Sequence, residues 1–342
     1  MKRILFGLFF FLACDASLYA QTPFYQGKTI TLIAGVTAGS VYDAYARFIA
    51  EHWGKHIPGN PDFIVQNIAG AGSLIAANHL YNVAKPDGLT IASIIPAIYF
   101  NQLAGRKEVR FDYAKFNWIG SVDYSDNLVY MRSDTPFKTI HDVRQATQSP
   151  KCAASGTGTV GHYMPTLLNG TIGTKFEVVL GYPGGPEMDL AVEKNETQCR
   201  AFSLAAWFSG EPYRTWRTKG FVHVLIQTGR KRDDRLPQVP TLNELMDEVK
   251  TEEVGRRLAT VVLASGELGR PYVLPPGVPT ERLKLLREAF MKMMADPGFL
   301  DEAKKRNLEV KPSTGEELEK IAQEVTAQPP EVIGRMKKLM GK

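Results

Sequence analysis

One strand–turn–helix unit near the start of the chain, from Thr29 to Arg47, reads TITLIAGVTAGSVYDAYAR. Its first part, Thr29–Ala34, is a short apolar run that is typical of a buried strand. Gly35–Gly39 is a glycine-bearing turn, and apolar residues recur at helical spacing over Val41–His52. A strand that passes through a glycine turn into a helix is the building unit of an α/β protein.

The same unit recurs along the chain. The next predicted elements are a strand, a glycine-rich turn, a helix and a strand, at Asp62–Gln66, Asn67–Ser73, Leu74–Val83 and Leu89–Ile95. Further strands are predicted at Cys152–Ala154, Lys175–Leu180, Gln198–Leu204 and Val222–Thr228. The last part of the chain is predicted to be helical, over Glu281–Ala295, Gly298–Arg306, Gly315–Ala327 and Pro330–Met340. Alternation of this kind predicts parallel sheets covered by helices.

The composition of the 342 residues excludes several classes of protein. With 44% hydrophobic and 23% charged residues the chain is globular rather than disordered, and its length favours about two domains. No apolar run after the N-terminus reaches the roughly 20 residues of a membrane span. The net charge of +5 includes no dense basic block, so the sequence does not indicate nucleic-acid binding.

The N-terminus has the pattern of an export signal. Lys2 and Arg3 precede the apolar run Ile4–Ala13, which is too short to cross a membrane. The pattern predicts a signal peptide over residues 1–20 and a periplasmic mature chain. The alternative is a lipoprotein anchored through Cys14, because the residues before it loosely resemble a lipobox.

Two cysteines remain after removal of the signal peptide. Cys152 and Cys199 each lie in a predicted strand of the middle segment. Export permits a disulfide between them. The alternative is a pair of buried thiols that pack as small hydrophobic side chains.

The unit at Thr29–Arg47 resembles the opening motif of Bug-type receptors, the periplasmic solute-binding proteins of tripartite tricarboxylate transporters. Further motifs agree with the family in order: NIAGAG at 67–72, PDG at 86–88, GTGT at 156–159 with His162, YPGG at 182–185 and YVLPPGVP at 272–279. The resemblance covers the chain from about Phe24 to the C-terminus.

The resemblance implies an α/β fold with two lobes, the type II-like Venus flytrap arrangement of periplasmic binding proteins, and a ligand cleft between the lobes. Lobe one would comprise residues 24–124 and 227–342, the second part including the C-terminal helices, and lobe two residues 125–226. The protein would be a monomeric receptor that captures a small carboxylate and presents it to membrane permease subunits. The resemblance implies no enzyme activity, cofactor, metal or nucleic-acid partner.

The resemblance also places ligand-binding residues in two loops. In lobe one they are Thr37, Ala38, Gly39 and Ser40. In lobe two they are Ser155, Gly156, Thr157, Gly158 and Thr159. Small residues let main-chain amides approach a carboxylate, and hydroxyl groups add adaptable hydrogen bonds. The alternative is that the glycines only permit tight strand–helix turns, and this alternative is favoured for Gly70–Gly72.

The chain departs from the family pattern in its opening motif. The family's Pro-Phe is replaced by Gly35-Val36, its second glycine by Ser40, and its Ser or Thr before the aspartate by Tyr42. Tyr42 would narrow the cleft or stack on a ligand. Asp43 is expected to cap the helix rather than to contact the ligand.

Four further residues lie near predicted strand ends or loops. Tyr99, Tyr182 and Trp207 follow predicted strands, where a flat ring would cover the apolar part of a ligand or pack in the core. His162 lies just after the glycine loop of lobe two, where it would brace the loop or bind the ligand. Bracing is favoured for His162, and the two interpretations of the aromatic residues stay open.

Other motifs are weaker. The stretch Gly156–Gly161 satisfies the dinucleotide fingerprint, but the acid that follows, Glu177, lies within a strand rather than at its end. His52 and His56 have a spacing that can bind metal, but Gly54 interrupts the helix between them. No G-x-S-x-G elbow is present. The alternatives to a transport receptor are a sensor that feeds a membrane signalling protein and an exported α/β enzyme.

Overall fold

The computed structural model describes residues 22–156, 159–183, 185–209 and 211–339. The signal peptide predicted over residues 1–20, with Cys14, lies outside these ranges, as do the predicted ligand residues Thr157 and Gly158. The described chain forms two β-sheets covered by helices, which confirms the predicted α/β class.

The strands divide between the two sheets. The first sheet contains β1 (Thr29–Ala34), β2 (Asp62–Asn67), β3 (Thr90–Ser93), β4 (Asn117–Ser121), β10 (Pro271–Leu274) and β11 (Ser313–Thr314). The second sheet contains β5 (Asn127–Arg132), β6 (Lys151–Ala153), β7 (Glu177–Val179), β8 (Cys199–Ser203) and β9 (Val222–Gln227).

The α-helices surround these sheets. Those up to residue 209 are α1 (Val41–Trp53), α2 (Leu74–Asn82), α3 (Tyr99–Leu103), α4 (Ile140–Gln145), α5 (Val160–Ile172), α6 (Gly185–Glu193) and α7 (Leu204–Ser209). Those that follow are α8 (Tyr213–Lys219), α9 (Leu242–Glu248), α10 (Glu253–Leu268), α11 (Thr280–Met294), α12 (Pro297–Lys305), α13 (Gly315–Thr326) and α14 (Pro330–Leu339). Within the described ranges, none of the helices combines the length and the apolar character needed to cross a membrane.

The first sheet has the order β11-β4-β10-β3-β1-β2. β1 runs parallel to both of its neighbours, so the carboxyl ends of three strands, at Ala34, Asn67 and Ser93, lie along one edge. Both faces of β1 are covered, since Leu32 and Ile33 pack in different core clusters. Burial on both faces explains why the second half of this strand, Leu32–Ala34, is a continuous apolar run.

The second sheet has the order β7-β6-β8-β5-β9. β6 runs parallel to β7 and β8, so their carboxyl ends, at Ala153, Val179 and Ser203, also share one edge. β5 is antiparallel to both β8 and β9, and every residue of β5 is buried. The sequence predicted only a lobe boundary near this position, between residues 124 and 125, so β5 is an element that sequence reasoning missed.

Helix α10 connects the cores of the two sheets. Val261 and Val262 of this helix are buried in the same cluster as Ala92 of β3 and Val129 of β5. The Tyr99 hydroxyl donates a hydrogen bond to the Val261 carbonyl oxygen at 2.6 Å. The two sheets therefore share a continuous apolar core through α10.

The segments that pass between the sheets are hydrogen-bonded to one another. The Ser121 hydroxyl donates to the Asp123 carbonyl oxygen at 2.6 Å and accepts a bond from the Arg270 amide at 2.9 Å. Ser121 ends β4, the last strand of the first sheet before the chain crosses to the second sheet. Arg270 directly precedes β10, the first strand after the chain has crossed back to the first sheet. These bonds join the two crossings into one hinge region.

The chain stays with the second sheet for some distance after β9. Leu236 and Val239 pack in the same cluster as Leu128 and Tyr130 of β5, and the next strand in the first sheet begins only at Pro271. The domain boundaries placed after residues 124 and 226 stay predictions.

Cys152 and Cys199 form a disulfide in the structure. They are register partners on β6 and β8, their Cα atoms lie 4.4 Å apart, and both are fully buried. The bond ties two adjacent strands beneath the predicted ligand loop of lobe two.

Replacing both cysteines by alanine is expected to lower the free energy of unfolding. The bond spans 47 residues, so its loss releases chain entropy in the unfolded state worth about 4 kcal/mol. Urea unfolding of the double variant measures the effect. The reduced wild-type protein serves as the control and should approach the same value. A loss below about 1 kcal/mol would show that the bond contributes little.

Candidate functional site

The turn after β1 presents small, exposed residues at the edge shared by three strands. Thr37, Ala38 and Gly39 are exposed, and Ser40 is half-buried as the N-cap of α1. The amides of Thr37 and Ala38 have no hydrogen-bond partner in the described chain. Neither do the first-turn amides of Val41 and Tyr42 in α1. This turn therefore offers several free N–H donors at the positive end of a helix.

Asp43 holds the turn in shape. The Gly39 amide donates to the Asp43 carboxylate at 2.8 Å, and the Asp43 amide donates to the Ser40 hydroxyl at 3.3 Å. Asn67 at the end of β2 donates to the same carboxylate at 2.8 Å and to the Val36 carbonyl oxygen at 3.1 Å. The expectation that Asp43 would cap the helix rather than contact a ligand agrees with this geometry.

The carboxyl group of Asp43 is ionised well below neutral pH. Burial alone would raise its pKa, but hydrogen bonds from Arg47, Asn67 and Gly39, with the charge of Arg47, lower it to about 2. Only 3% of Asp43 is exposed, so its bonds from Asn67 and Gly39 are shielded from solvent, whereas its partner Arg47 is half exposed. The network stabilises the folded state above the ordinary carboxyl pKa of 3.8.

The stability that Asp43 contributes is expected to disappear at acid pH. Because its folded pKa of about 2 lies below 3.8, the contribution is about 2 kcal/mol near neutral pH and is lost as the pH falls from about 5 to about 2. Asp43→Asn removes it, so wild type and variant should differ at pH 7 and converge near pH 2. Denaturant unfolding at several pH values tests this, and a constant difference would contradict it.

Ser73 connects three loops at the same edge, and sequence reasoning did not single it out. Its hydroxyl donates to the Gly35 carbonyl oxygen at 2.7 Å and accepts from the Ile95 amide at 3.1 Å. A Cβ atom at Gly35 would lie 2.7 Å from this hydroxyl oxygen, so glycine at 35 permits the close approach. The turn at Gly70–Gly72 thus places a structural serine, in line with the turn interpretation favoured for its glycines.

Tyr42 extends from α1 to the hinge region. Its hydroxyl donates to the Gly269 carbonyl oxygen at 3.1 Å, and the Arg270 guanidinium lies 5.4 Å from the centre of its ring. Burial raises the pKa of Tyr42 to about 12, against the opposing effect of Arg270. The ring therefore lies beside the lobe-one turn as a neutral wall.

The corresponding loop of lobe two follows β6. Ser155, Gly156 and Thr159 are half-buried, and the Thr159 hydroxyl donates to the Gly156 carbonyl oxygen at 2.7 Å. Thr159 is the N-cap of α5, and the first-turn amides of Val160 and Gly161 have no partner in the described chain. Both lobes thus place a helix start with free donors at the carboxyl edge of their parallel strands.

His162 lies in the first turn of α5. It is half-buried, and burial lowers the pKa of its imidazole. Its carbonyl oxygen accepts a bond from the Thr166 hydroxyl at 2.8 Å. Its assignment to loop bracing or to ligand binding stays a prediction.

The three predicted aromatic residues differ in their surroundings. Tyr182 is half-buried beside the lobe-two loop, and its amide donates to the Ala154 carbonyl oxygen at 3.4 Å. Tyr99 is fully buried in the shared core, and Trp207 is 2% exposed and stacks on Tyr130 with ring centres 5.8 Å apart. Core packing is therefore the favoured interpretation for Tyr99 and Trp207, and Tyr182 is better placed for a ligand.

The residues of the weaker motifs have local partners. His52 Nε2 lies 3.2 Å from a Glu302 oxygen, and His56 Nε2 lies 3.7 Å from an Asp296 oxygen. Each histidine thus faces a carboxylate rather than the other histidine. Glu177 begins β7 at the end remote from the glycine loop, which is the wrong end for a ribose-binding acid.

Comparisons with known proteins show the family and the fold of the chain. The family model described as the tripartite tricarboxylate transporter family receptor matches residues 45–337. A curated relative, the UPF0065 protein in the gbd 5′ region of Cupriavidus necator, is 29% identical over 297 residues, covering 85% of this chain and 82% of the relative. A second relative from Agrobacterium vitis is 26% identical over 237 residues, covering 64% of this chain and 62% of the relative.

Solved structures have the same fold. A ligand-free TctC solute-binding protein from Polaromonas matches with a TM-score of 0.72 at 20% identity, over 93% of this chain and 99% of the other. MatC from Rhodopseudomonas palustris with bound malate matches with 0.52 at 18% identity, over 92% and 99%. An R. palustris protein with adipate matches with 0.54 at 19% identity, over 92% and 97%.

These matches confirm the two-lobed fold of periplasmic binding proteins and the resemblance that the motifs carried. The family model covers most of the chain, from within α1 through the lobe-two loop to α14, and the lobe-one turn precedes the matched range. The protein belongs to the receptor family of the tripartite tricarboxylate transporters, a family of periplasmic solute-binding proteins.

Proposed function

We propose that the exported protein captures a small carboxylate between its two lobes. It then presents the closed, loaded form to the membrane permease of a tripartite tricarboxylate transporter. In this proposal the chain binds and releases its ligand without chemical change.

The proposal rests on the N-termini of helices α1 and α5. Val41 and Tyr42 at the start of α1, and Val160 and Gly161 at the start of α5, have amides without partners in the described chain. Helix N-termini attract anions because free N–H groups and the helix dipole act together. One such start in each lobe suits a carboxylate that is held from both sides.

The ligand class follows from the small size and neutral character of the loops. Thr37, Ala38 and Gly39 leave room for main-chain donors, and Ser155 and Thr159 add hydroxyl groups. Related structures that contain malate and adipate support a carboxylate as the ligand. Tyr42 limits the room at the hinge side of the lobe-one turn, which favours a short ligand.

A thermal-shift panel tests the proposed function. Mono-, di- and tricarboxylates are added separately to the purified mature protein, and mass spectrometry identifies any ligand that copurifies. We expect at least one carboxylate to raise the melting temperature, because a ligand that binds only the folded state stabilises it. If the whole panel leaves the melting temperature unchanged, the carboxylate assignment is wrong.

A further inference from the structure

The outer edge of the second sheet is open. β9 is the last strand in the order, and among the described residues only β5 pairs with its stretch Val222–Ile226. At Gln227 the edge is covered, because this residue forms a bridge with Thr241. An open strand edge presents N–H and C=O groups that an extended chain can pair with.

A cavity of about 860 Å³ lies against this open edge. One wall is formed by the β9 residues Val222, His223, Val224 and Leu225. Trp207 and Phe208 of α7 and Arg217 of α8 line it as well, together with the start of α4 and the segment 232–240. We call this cavity with its open strand the β9 groove.

Every charged side chain that lines the β9 groove is basic. The cationic side chains that line it are Lys138, Arg217, Arg232 and Arg235. The imidazole rings of His141 and His223 also line it. None of the described aspartates or glutamates lines it. A concave wall that carries one sign of charge attracts a partner of the opposite sign.

The positive charge is only partly neutralised within the chain. Arg232 pairs with Glu244 at 2.9 Å and Arg235 with Asp233 at 2.7 Å. Arg217 forms no salt bridge with a described residue. It donates to the Trp207 carbonyl oxygen, and its guanidinium lies 5.1 Å from the centre of the Phe208 ring. Burial lowers the pKa of Arg217, the nearby cations Arg214 and Arg235 lower it further, and the nearby Glu211 opposes this effect.

The β9 groove lies away from the proposed ligand cleft. Val222 pairs with Arg132 at one end of β5, whereas Gln227 pairs with Leu128 at the other end. Leu128 also pairs with Phe202, near the carboxyl end of β8 that faces the ligand loops. The part of β9 that lines the groove is thus the part farther from those loops. An occupant of the groove leaves the loops accessible.

We propose that the β9 groove binds an extended acidic segment of a partner protein, which adds a strand to the second sheet. Main-chain bonds to β9 would supply affinity, and carboxylates on the segment would pair with Arg217 and Lys138. The open edge of β9 is several residues long, and an extended polypeptide can form main-chain hydrogen bonds along all of it. A small anion can reach only one or two of these groups, so the edge favours a polypeptide. This inference does not depend on the ligand cleft, so either can fail while the other holds.

A synthetic peptide tests the proposal. The probe is a fluorescently labelled peptide of alternating glutamate and valine, as long as β9, added to the mature protein and followed by anisotropy. We expect saturable binding with a Kd below about 1 mM. Replacing glutamate by lysine, or methylating every peptide amide nitrogen, should weaken it at least about tenfold. The first change removes the carboxylates and the second removes the strand pairing.

A matched pair of variants locates the site. Arg217→Glu should weaken binding of the peptide at least about tenfold. Arg214→Glu makes the same charge change on the same helix but outside the cavity, and should change binding less than about twofold. Thermal melts followed by circular dichroism check that both variants fold.

Three results would overturn the proposal. These are an absence of saturable binding, equal binding of the amide-methylated peptide, and equal loss of binding in the two arginine variants. Retention on anionic lipid vesicles that requires Arg217, without peptide binding, would assign the β9 groove to a membrane surface instead. The comparison of the glutamate–valine peptide with its amide-methylated version uses the unaltered protein. It therefore tests the proposed strand pairing even if Arg217→Glu does not fold.

Discussion

Ala38→Trp is expected to abolish carboxylate binding while the protein stays folded. Ala38 is exposed in the turn between β1 and α1, three residues before Val41, where the free amides of α1 begin. An indole there would fill the space that the ligand needs and cover those donors. We expect affinity to fall at least about 100-fold, which corresponds to about 2.8 kcal/mol. Titration calorimetry measures the loss.

Ala327→Trp is the matched control for this substitution. Ala327 is also exposed, but it follows the end of α13 and lies in neither ligand loop. It should bind ligand with wild-type affinity, and both variants should unfold at temperatures close to that of the wild type. Wild-type affinity in Ala38→Trp would place the ligand somewhere other than this turn.

Gly269→Ala is expected to cause the largest loss of stability from a single methyl group. Gly269 has φ of +60° and ψ of −116°, a conformation that suits glycine alone. A Cβ atom there would lie only 1.7 Å from the Asp123 carbonyl oxygen, so the two hinge crossings would have to separate. We expect the free energy of unfolding to fall by at least about 3 kcal/mol in urea titrations.

Gly220→Ala separates the steric effect from the backbone effect. Gly220 also has positive φ, at +62°, but nothing lies within 4 Å of the Cβ position. Its substitution should therefore cost only the left-handed backbone penalty of about 1 kcal/mol. If Gly269→Ala and Gly220→Ala lower the free energy of unfolding equally, the contact between the added methyl group and the Asp123 carbonyl oxygen does not destabilise the protein.

Most of the fold followed from local sequence patterns. The strand Thr29–Ala34 and the helix that begins at Val41 have the predicted bounds to within a residue, because glycines and a serine cap mark their ends. β5 was missed because its apolar run, Leu128–Met131, has only four residues and is flanked by the polar residues Asn127 and Arg132. Arg132 is buried through bonds to the Val192 and Glu193 carbonyl oxygens, which the sequence does not reveal.

The candidate site was predictable only in part. The glycine and hydroxyl residues of both loops stand out in the sequence, and parallel strands bring their loops to a common edge. Ser73 gave no signal, because its role depends on contacts with Gly35 and Ile95 from two other loops. Tyr99 lies where a ligand contact was plausible, but its hydroxyl is bonded to α10, 162 residues later in the chain.

Calorimetry of the mature protein, dialysed free of ligand and titrated with a series of carboxylates, tests the central claim most directly. The account predicts saturable binding of one carboxylate per chain, with a Kd of about 1 μM or tighter, and recovery of the ligand unchanged. Absence of binding across the series, or conversion of the ligand to a product, would contradict it.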